Sequence, residues 1–266
     1  MAEKKEYLTN PTLFGQPEIV GFGTKSFYVK EMGRILANET IIKNHYSKKV
    51  YNATYIHLGL YIEDKLCGVL QYGYAMNPAS CGSVVKGTEQ DQYLELNRMW
   101  LDDIAPRNSE SRAISFSIKY IKGKYPKIKW IQSFADERCG GFGIVYQACS
   151  FDYFGEHTSD FWEYNNVVYH NIQMTVKKGT KRYSKEVAEL QANKDKATKL
   201  TLRQFRYIFF IDKRWKKNCL LKQMPYPKHY DKPNGFEKTE AGRAFKKYGE
   251  YEPKLNKSTD VSSACI

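Results

Sequence analysis

Two stretches of this chain set polar residues at the start of a helix that follows a strand. The first, "APRNSES" (Ala105–Ser111), comes after the strand-like "YLELNRMWL" (Tyr93–Leu101). The second reads "IQSFADERCGGFGIVYQACSFDYFG" from Ile131 to Gly155. Its apolar run ends on Asp136, passes Gly140, Gly141 and Gly143, and enters a helix carrying Tyr146. At such junctions free helix N–H groups face anions, and the carboxyl ends of strands in open α/β sheets collect ligands. Arg107, Asn108, Ser109 and Ser111 suit an anionic group, while an acid and a phenol on one junction suit proton transfer. Taken alone, each junction reads first as an ordinary helix start, the second with Asp136 as cap, the glycines as turn and Tyr146 in the core. No G-x-x-x-x-G-K-[ST] occurs, so a P-loop is excluded.

The elements that position these residues follow from periodicity. "EMGRILANETIIKNHY" (31–46) fits a helix, and residues 54–74 fit two strands around a tight turn at Glu63-Asp64-Lys65. Strict alternation along 93–101 puts Leu94, Leu96, Arg98 and Trp100 on one face and Tyr93, Glu95, Asn97 and Met99 on the other. A helix capped by Asn108 or Ser109 follows, stopped by Gly123 and Pro126; then come a strand at 128–135, a helix at 143–151 and a closing strand at 165–177. The segment 201–228 is expected to be a helix that ends at Pro225 and Pro227. This order implies an α/β or α+β layer with a central mixed, partly parallel sheet.

Charge divides the chain. Residues 1–176 carry 19 Lys+Arg against 19 Asp+Glu, and residues 177–266 carry 23 against 10, so the excess of +13 lies in the last third. A neutral body with a basic extension fits an enzyme acting on nucleic acid; a tail kept for solubility is the plainer reading. Six cysteines without a C-x-x-C pair argue against a zinc site or a disulfide framework and for a reducing cytoplasm. No run reaches the roughly 18 uncharged apolar residues of a membrane span, and the N-terminus lacks a signal peptide's apolar region.

The order strand, polar loop, helix, strand, then "GIVYQACSFDYFG" resembles the GNAT acetyltransferase core. That superfamily commonly has a glycine where Ser150 stands, and its usual pyrophosphate loop is replaced here by "APRNSES". A narrower resemblance is carried by "HYS" (45–47), "ELNRMWLDD" (95–103), "PRNSES" (106–111) and "SFAD…GGFGIVYQACSFDYFG" (133–155). These four motifs, in order, are similar to the phage Mom DNA-modification family.

Composition reads 1–30 as an extended lead-in and 229–266 as a flexible tail, and the resemblance implies a GNAT-like catalytic domain (31–177) followed by a basic helical extension (178–228). It implies an enzyme that converts adenine N6 in phage DNA to N6-carbamoylmethyladenine, in the cytoplasm of the infected host, as protection from restriction. Its active-site positions fall on Arg98, Ser111, Asp136 and Tyr146, with His45 nearby. Asp136 or His45 would take the N6 proton, Tyr146 would assist the leaving group, and Arg98 and Ser111 would hold an anionic donor or oxyanion. Arg107, Asn108, Ser109 and Ser111 would line the donor site. A carbamoylmethyl group is joined through carbon, and attack on a thioester carbonyl cannot make that bond. Acetyl-CoA or a glycine-derived donor therefore both stand as expectations, as does iron on His45, Asp136 and Tyr146. Double-stranded DNA is the expected partner, its adenine flipped out and stacked on Tyr46 or Trp100. Phosphate contacts are expected from Arg203, Arg206, Lys213, Arg214, Lys216 and Lys217. The rival readings are an ordinary acyl-CoA-dependent acetyltransferase and a non-catalytic DNA-binding protein.

Overall fold

The computed structural model describes residues 3–13, 15–137, 141–165 and 167–227, with the backbone of 236–238 and 244–246. Its elements run β1 (Glu6–Asn10), β2 (Glu18–Gly23), β3 (Phe27–Glu31), α1 (Arg34–Asn44), β4 (Thr54–Ile62), β5 (Lys65–Gly73), α2 (Cys81–Val84), β6 (Tyr93–Leu101), α3 (Ser109–Lys124), β7 (Trp130–Asp136), α4 (Ile144–Ala148), β8 (Asp152–Tyr164), β9 (Val167–His170), α5 (Lys185–Ala192) and β10 (Thr198–Phe210). A short antiparallel pair, β11 (Phe236–Lys238) and β12 (Ala244–Lys246), ends the described chain. The tail expected at 229–266 otherwise lies outside the described residues. The chain forms two compact units. The first holds Met1–Phe134, Ile144–Phe154 and Tyr207–Tyr226; the second holds Ala135–Gly143, Gly155–Arg206 and Pro227–Ile266.

In the first unit β1 to β7 lie side by side in chain order, followed by the end of β10 and the start of β8. The neighbours from β1 to β6 are antiparallel, and β6 and β7 are parallel. The β4–β5 hairpin turns on Glu63 and Asp64, whose φ values of 47° and 62° give two successive left-handed residues, as the twist of a two-residue hairpin requires. Tyr28 steadies this turn by donating its hydroxyl proton to Asp64 Oδ1 at 2.9 Å.

α3 crosses one face of the sheet. Ala113, Ile114, Ser117, Ile118 and Ile121 form its buried stripe, and Phe116 meets Phe22 and Phe27 edge to face at 5.4 and 5.7 Å. Glu110 in its first turn and Lys122 and Lys124 in its last both favour the helix dipole. α1 crosses the other face, where Ala37 and Ile41 pack with Val69, Met32 and Trp100. A further core is built on the stacked pair Tyr93–Trp130, with ring centroids 4.8 Å apart, together with Phe154, Ile208 and Phe210.

In the second unit β10, β8 and β9 are neighbours, and β8 and β9 are antiparallel. Buried Val187 and Leu190 anchor α5, whose N-cap Ser184 accepts from the Val187 amide.

Two expectations are corrected here. Residues 201–228 are not a helix: β10 fills 198–210, and a short 3-10 turn spans Lys213–Asn218. Leu202, Phe205, Tyr207, Ile208 and Phe210 are all buried, and burial in a sheet outweighs the helical propensity of the charged residues between them. The closing strand at 165–177 is only β9, succeeded by a 3-10 turn at Asn171–Thr175. The extended lead-in holds β1 and β2 and runs into β3.

Candidate active site

The two faces of the site are set by a bulge and a splay. Along β5 and β6, Gln71 pairs with Arg98 and Tyr72 with Leu96, which leaves Asn97 as an extra residue. Gln71 and Tyr72 are consecutive and face opposite ways, so Leu96 and Arg98 do too. The single face expected for Leu96, Arg98 and Trp100 is thereby corrected. Arg98 and Trp100 join Glu95 on the α1 face, and Leu96 stays on the α3 face with Tyr72, whose hydroxyl meets Ser117 of α3. β6 and β7 pair only over Tyr93–Trp130, Leu94–Ile131 and Glu95–Gln132, although both strands run on. Beyond that point the parallel strands part and leave a gap in the sheet.

On the α3 face the gap carries Ser133 and Tyr146. The Ser133 hydroxyl lies 3.1 Å from the Leu96 carbonyl across the gap and 2.9 Å from the Tyr146 hydroxyl. Tyr146 is the third residue from the end of the short α4, and its ring lies 5.6 Å from Phe151 and 5.4 Å from Tyr207. α4 stops by a reverse turn in which the Phe151 amide donates to Tyr146 O and the Ser150 amide to Gln147 O. This is a Schellman closure, and Ser150 holds its left-handed position at φ 61°, where a glycine would be unstrained. Gly143, at φ 79°, uses the same freedom on the entry side. Cys149 ties α4 to α3 by donating to the Ser111 carbonyl at 3.1 Å, and burial pushes its thiol up to about 11.

The expected donor loop caps α3. Asn108 sits at the N-cap in a left-handed conformation, φ 68°, without a side-chain cap, and the Ser111 hydroxyl donates to its carbonyl at 3.1 Å. A groove of about 310 Å³ runs beside it. Lys5, Arg107 and Arg112 supply cations there, Asn108, Ser109, Ser111 and Ser115 polar groups, and Phe27 and Phe116 an apolar wall. The Arg112 guanidinium lies 4.1 Å from the Phe27 ring centre, which pre-orients it.

On the α1 face Arg98 donates from Nε to Lys49 O at 3.3 Å and lies 5.6 Å from the Tyr51 ring centre. No salt bridge from Arg98 to Glu95 or Asp102 is among the ion pairs of the described residues. Glu95 instead accepts from two amides, Asn97 Nδ2 at 3.0 Å and Gln132 Nε2 at 2.8 Å. The carbonyl oxygens of both amides are buried without a hydrogen-bond partner. Leaving such a group unsatisfied costs about 1–3 kcal/mol, so two on one carboxylate call for an explanation.

His45 is buried and accepts at Nδ1 from the Ser47 amide at 3.1 Å. A backbone N–H can only donate, so the neutral ring carries its proton on Nε2. Tyr46 packs on His45 with centroids 4.2 Å apart, and Trp100 is spent on the α1 core.

In the second unit Asp136 is buried at the end of β7. Next to it in sequence, Glu137 takes the Arg203 guanidinium at 3.1 and 3.0 Å and the Arg203 amide at 2.7 Å. Arg203 is thus an internal ion-pair partner. Arg206 is half-buried and helps hold His157 below the usual histidine range, after burial itself. In the first unit Lys213, Arg214, Lys216 and Lys217 are exposed on the 3-10 turn; Arg214 pairs with Asp212 at 2.8 Å and Lys216 with Asp152 at 2.9 Å. Among the described residues no three His, Cys, Asp or Glu side chains gather to hold a metal, and no helix is long and apolar enough to cross a membrane.

Sequence reasoning missed Glu95, Asn97, Gln132 and Ser133 as a set. Only the bulge and the splay bring them to the gap, and neither has a residue signature in "ELNRMW" or "WIQSFAD".

Comparison with known proteins decides the family. A family model for the Mom protein family matches residues 26–228. The chain belongs to the Mom protein family. A relative, "Methylcarbamoylase mom" of Escherichia phage Mu, is 46% identical over 230 residues, covering 85% of this chain and 94% of its own. Among solved structures, a ribosomal-protein-S5-alanine acetyltransferase from Vibrio fischeri is 12% identical with a TM-score of 0.42, over 74% of this chain and 98% of that one. An acetyltransferase from Salmonella typhimurium that modifies the N-terminal serine of ribosomal protein L7/L12 is 11% identical with a TM-score of 0.41, over 71% and 97%. The mixed sheet, with β6 and β7 parallel and α1 and α3 on opposite faces, is the α/β or α+β layer that the order of elements implies.

Proposed function

We propose that this chain is a DNA-modifying transferase that places a carbamoylmethyl group on N6 of adenine in phage DNA. The observation that carries the reading is the β6–β7 gap, with the Tyr146 hydroxyl on its α3 face and Arg98 and Glu95 on its α1 face. The methylcarbamoylase relative of phage Mu supports the choice of group.

The donor approaches from the α3 side. The groove with Lys5, Arg107 and Arg112 suits an anionic handle, and the donor's reactive carbon points into the gap. The base enters from the α1 side as a flipped-out nucleotide, because an N6 amine paired in a duplex is not free to react. As the N6–carbon bond forms, the bond from that carbon to its leaving group breaks. Tyr146 donates a hydrogen bond to the leaving group, and the N6 proton passes to the base that the family motif implies. Lys213, Arg214, Lys216 and Lys217 contact DNA phosphates.

The test is nucleoside mass spectrometry of DNA from cells expressing the chain. A new deoxyadenosine species supports the reading; unmodified nucleosides beside soluble, folded protein contradict it.

A further inference from the structure

We propose that the carbonyl oxygens of Asn97 and Gln132, both held by Glu95, are the acceptors that recognise the exocyclic amine of the target base. This rests on the DNA-adenine reading above and names how that site selects its substrate.

The orientation of the two amides is fixed by their partner. A carboxylate only accepts, so Glu95 draws the NH2 end of each amide toward itself at 3.0 and 2.8 Å. Asn97 Nδ2 also donates to the Tyr74 carbonyl at 3.1 Å, which uses both of its protons. Neither amide can be turned over without breaking these bonds, so the ends left over are both oxygens, and both lack a partner. Their place is equally fixed. Asn97 is the bulged residue of β6, and Glu95–Gln132 is the last paired rung before the strands part. Two unsatisfied acceptors therefore stand at the mouth of the gap.

The group that matches them has two donors and no competing acceptor. An aromatic primary amine is that group: it offers two N–H bonds, and its lone pair is drawn into the ring. A base with an exocyclic carbonyl, such as thymine or hypoxanthine, would set acceptor against acceptor. Unpaired buried polar groups make such discrimination strong. The match also separates substrate from product. Once N6 is substituted it keeps a single N–H, one of the two oxygens loses its partner, and the modified base is released more readily.

The segment after α1 lies on the same face, with the Lys49 carbonyl and the Tyr51 ring on Arg98. It is the cover that an entering base displaces.

The experiment uses the full chain and one DNA fragment in two forms, natural and with every adenine replaced by unsubstituted purine, which lacks the amine. Affinities are read at a salt concentration that suppresses phosphate contacts. The wild type should bind the adenine form at least about tenfold more tightly. Gln132→Leu and Asn97→Leu should each remove most of that difference while leaving affinity for the purine form unchanged. Equal binding of both forms by the wild type overturns the proposal even if a variant fails to fold, and so does a preference that survives in both variants. Nucleoside analysis of DNA from expressing cells separates the two levels. Modified adenine without amine preference sinks this inference alone, whereas amine preference without any modified adenine sinks the function it rests on.

Discussion

The Ser133 hydroxyl stands 2.9 Å from the Tyr146 hydroxyl and 3.1 Å from the Leu96 carbonyl on the opposite strand. When the serine gives its single proton to the tyrosine oxygen, the phenol keeps its own proton to donate. The pair thus spans the gap and fixes the phenol within it. Tyr146→Phe is expected to lower adenine modification about 100-fold and Ser133→Ala about tenfold. The double variant should be no worse than Tyr146→Phe alone, because residues that act as a unit are not additive. Independent, multiplying losses in turnover assays would show that Ser133 does something other than orient Tyr146.

Ser150 closes α4 in a left-handed conformation at φ 61°. Ser150→Gly should raise stability by about 0.5–1 kcal/mol, since glycine adopts that conformation without the steric penalty of a Cβ. Thermal unfolding reads this as a higher midpoint. An unchanged or lower midpoint would show that the serine side chain contributes something that offsets the backbone strain.

Basic residues that look alike in sequence divide into two roles. Arg203→Ala leaves the buried carboxylate of Glu137 without its guanidinium and should destabilise the fold by about 3–5 kcal/mol. Lys213→Ala and Lys217→Ala should leave stability within about 0.5 kcal/mol. Each should also reduce the slope of log affinity for DNA against log salt by about 0.9. Denaturation curves and salt titrations of binding separate the two classes. A lysine variant with an unaltered salt slope removes that residue from the DNA contacts.

His57 is buried beneath α1 and accepts at Nδ1 from Gln71 Nε2 at 3.2 Å. Burial, with the charge of Arg34 as a smaller cause, holds it below the usual histidine range. The unfolded chain then binds a proton more readily than the folded one. The stabilising contribution is therefore complete above the unfolded value of about 6.5 and is lost as the pH falls below it. His157 acts in the same direction. Unfolding midpoints measured from pH 7 to 5 should fall for the wild type and fall less steeply for His57→Gln. Parallel curves would show that His57 does not titrate in this window.

The hairpin, α1, β6, α3 and β7 are legible in the sequence because local signals agree: apolar period, caps and turn residues all point the same way. β10 is not, because "TLRQFRYIFF" alternates charge and aromatic residues in a way that fits either a strand face or a helix stripe, and only its burial decides. β1 to β3 are missed because they are short strands set among turn-formers, with too few residues each to show a period of two. At the site, Tyr146 and Ser111 follow from motif order, and the contact between their helices through Cys149 follows from the fold. The amide pair on Glu95 was beyond reach. One bulged residue turns Arg98 and Trp100 to the other face, and no composition or spacing rule marks where a β-ladder slips.

The central claim is that the gap between β6 and β7 delivers a carbamoylmethyl group to adenine N6. Its most direct test is quantitative mass spectrometry of deoxyadenosine species in DNA from cells expressing the wild type, Tyr146→Phe or Asp136→Asn at equal soluble levels. The account predicts an N6-carbamoylmethyl species with the wild type, reduced about 100-fold or more in both variants. A wild type that leaves adenine unmodified, or variants that modify it as fully as the wild type, would contradict it.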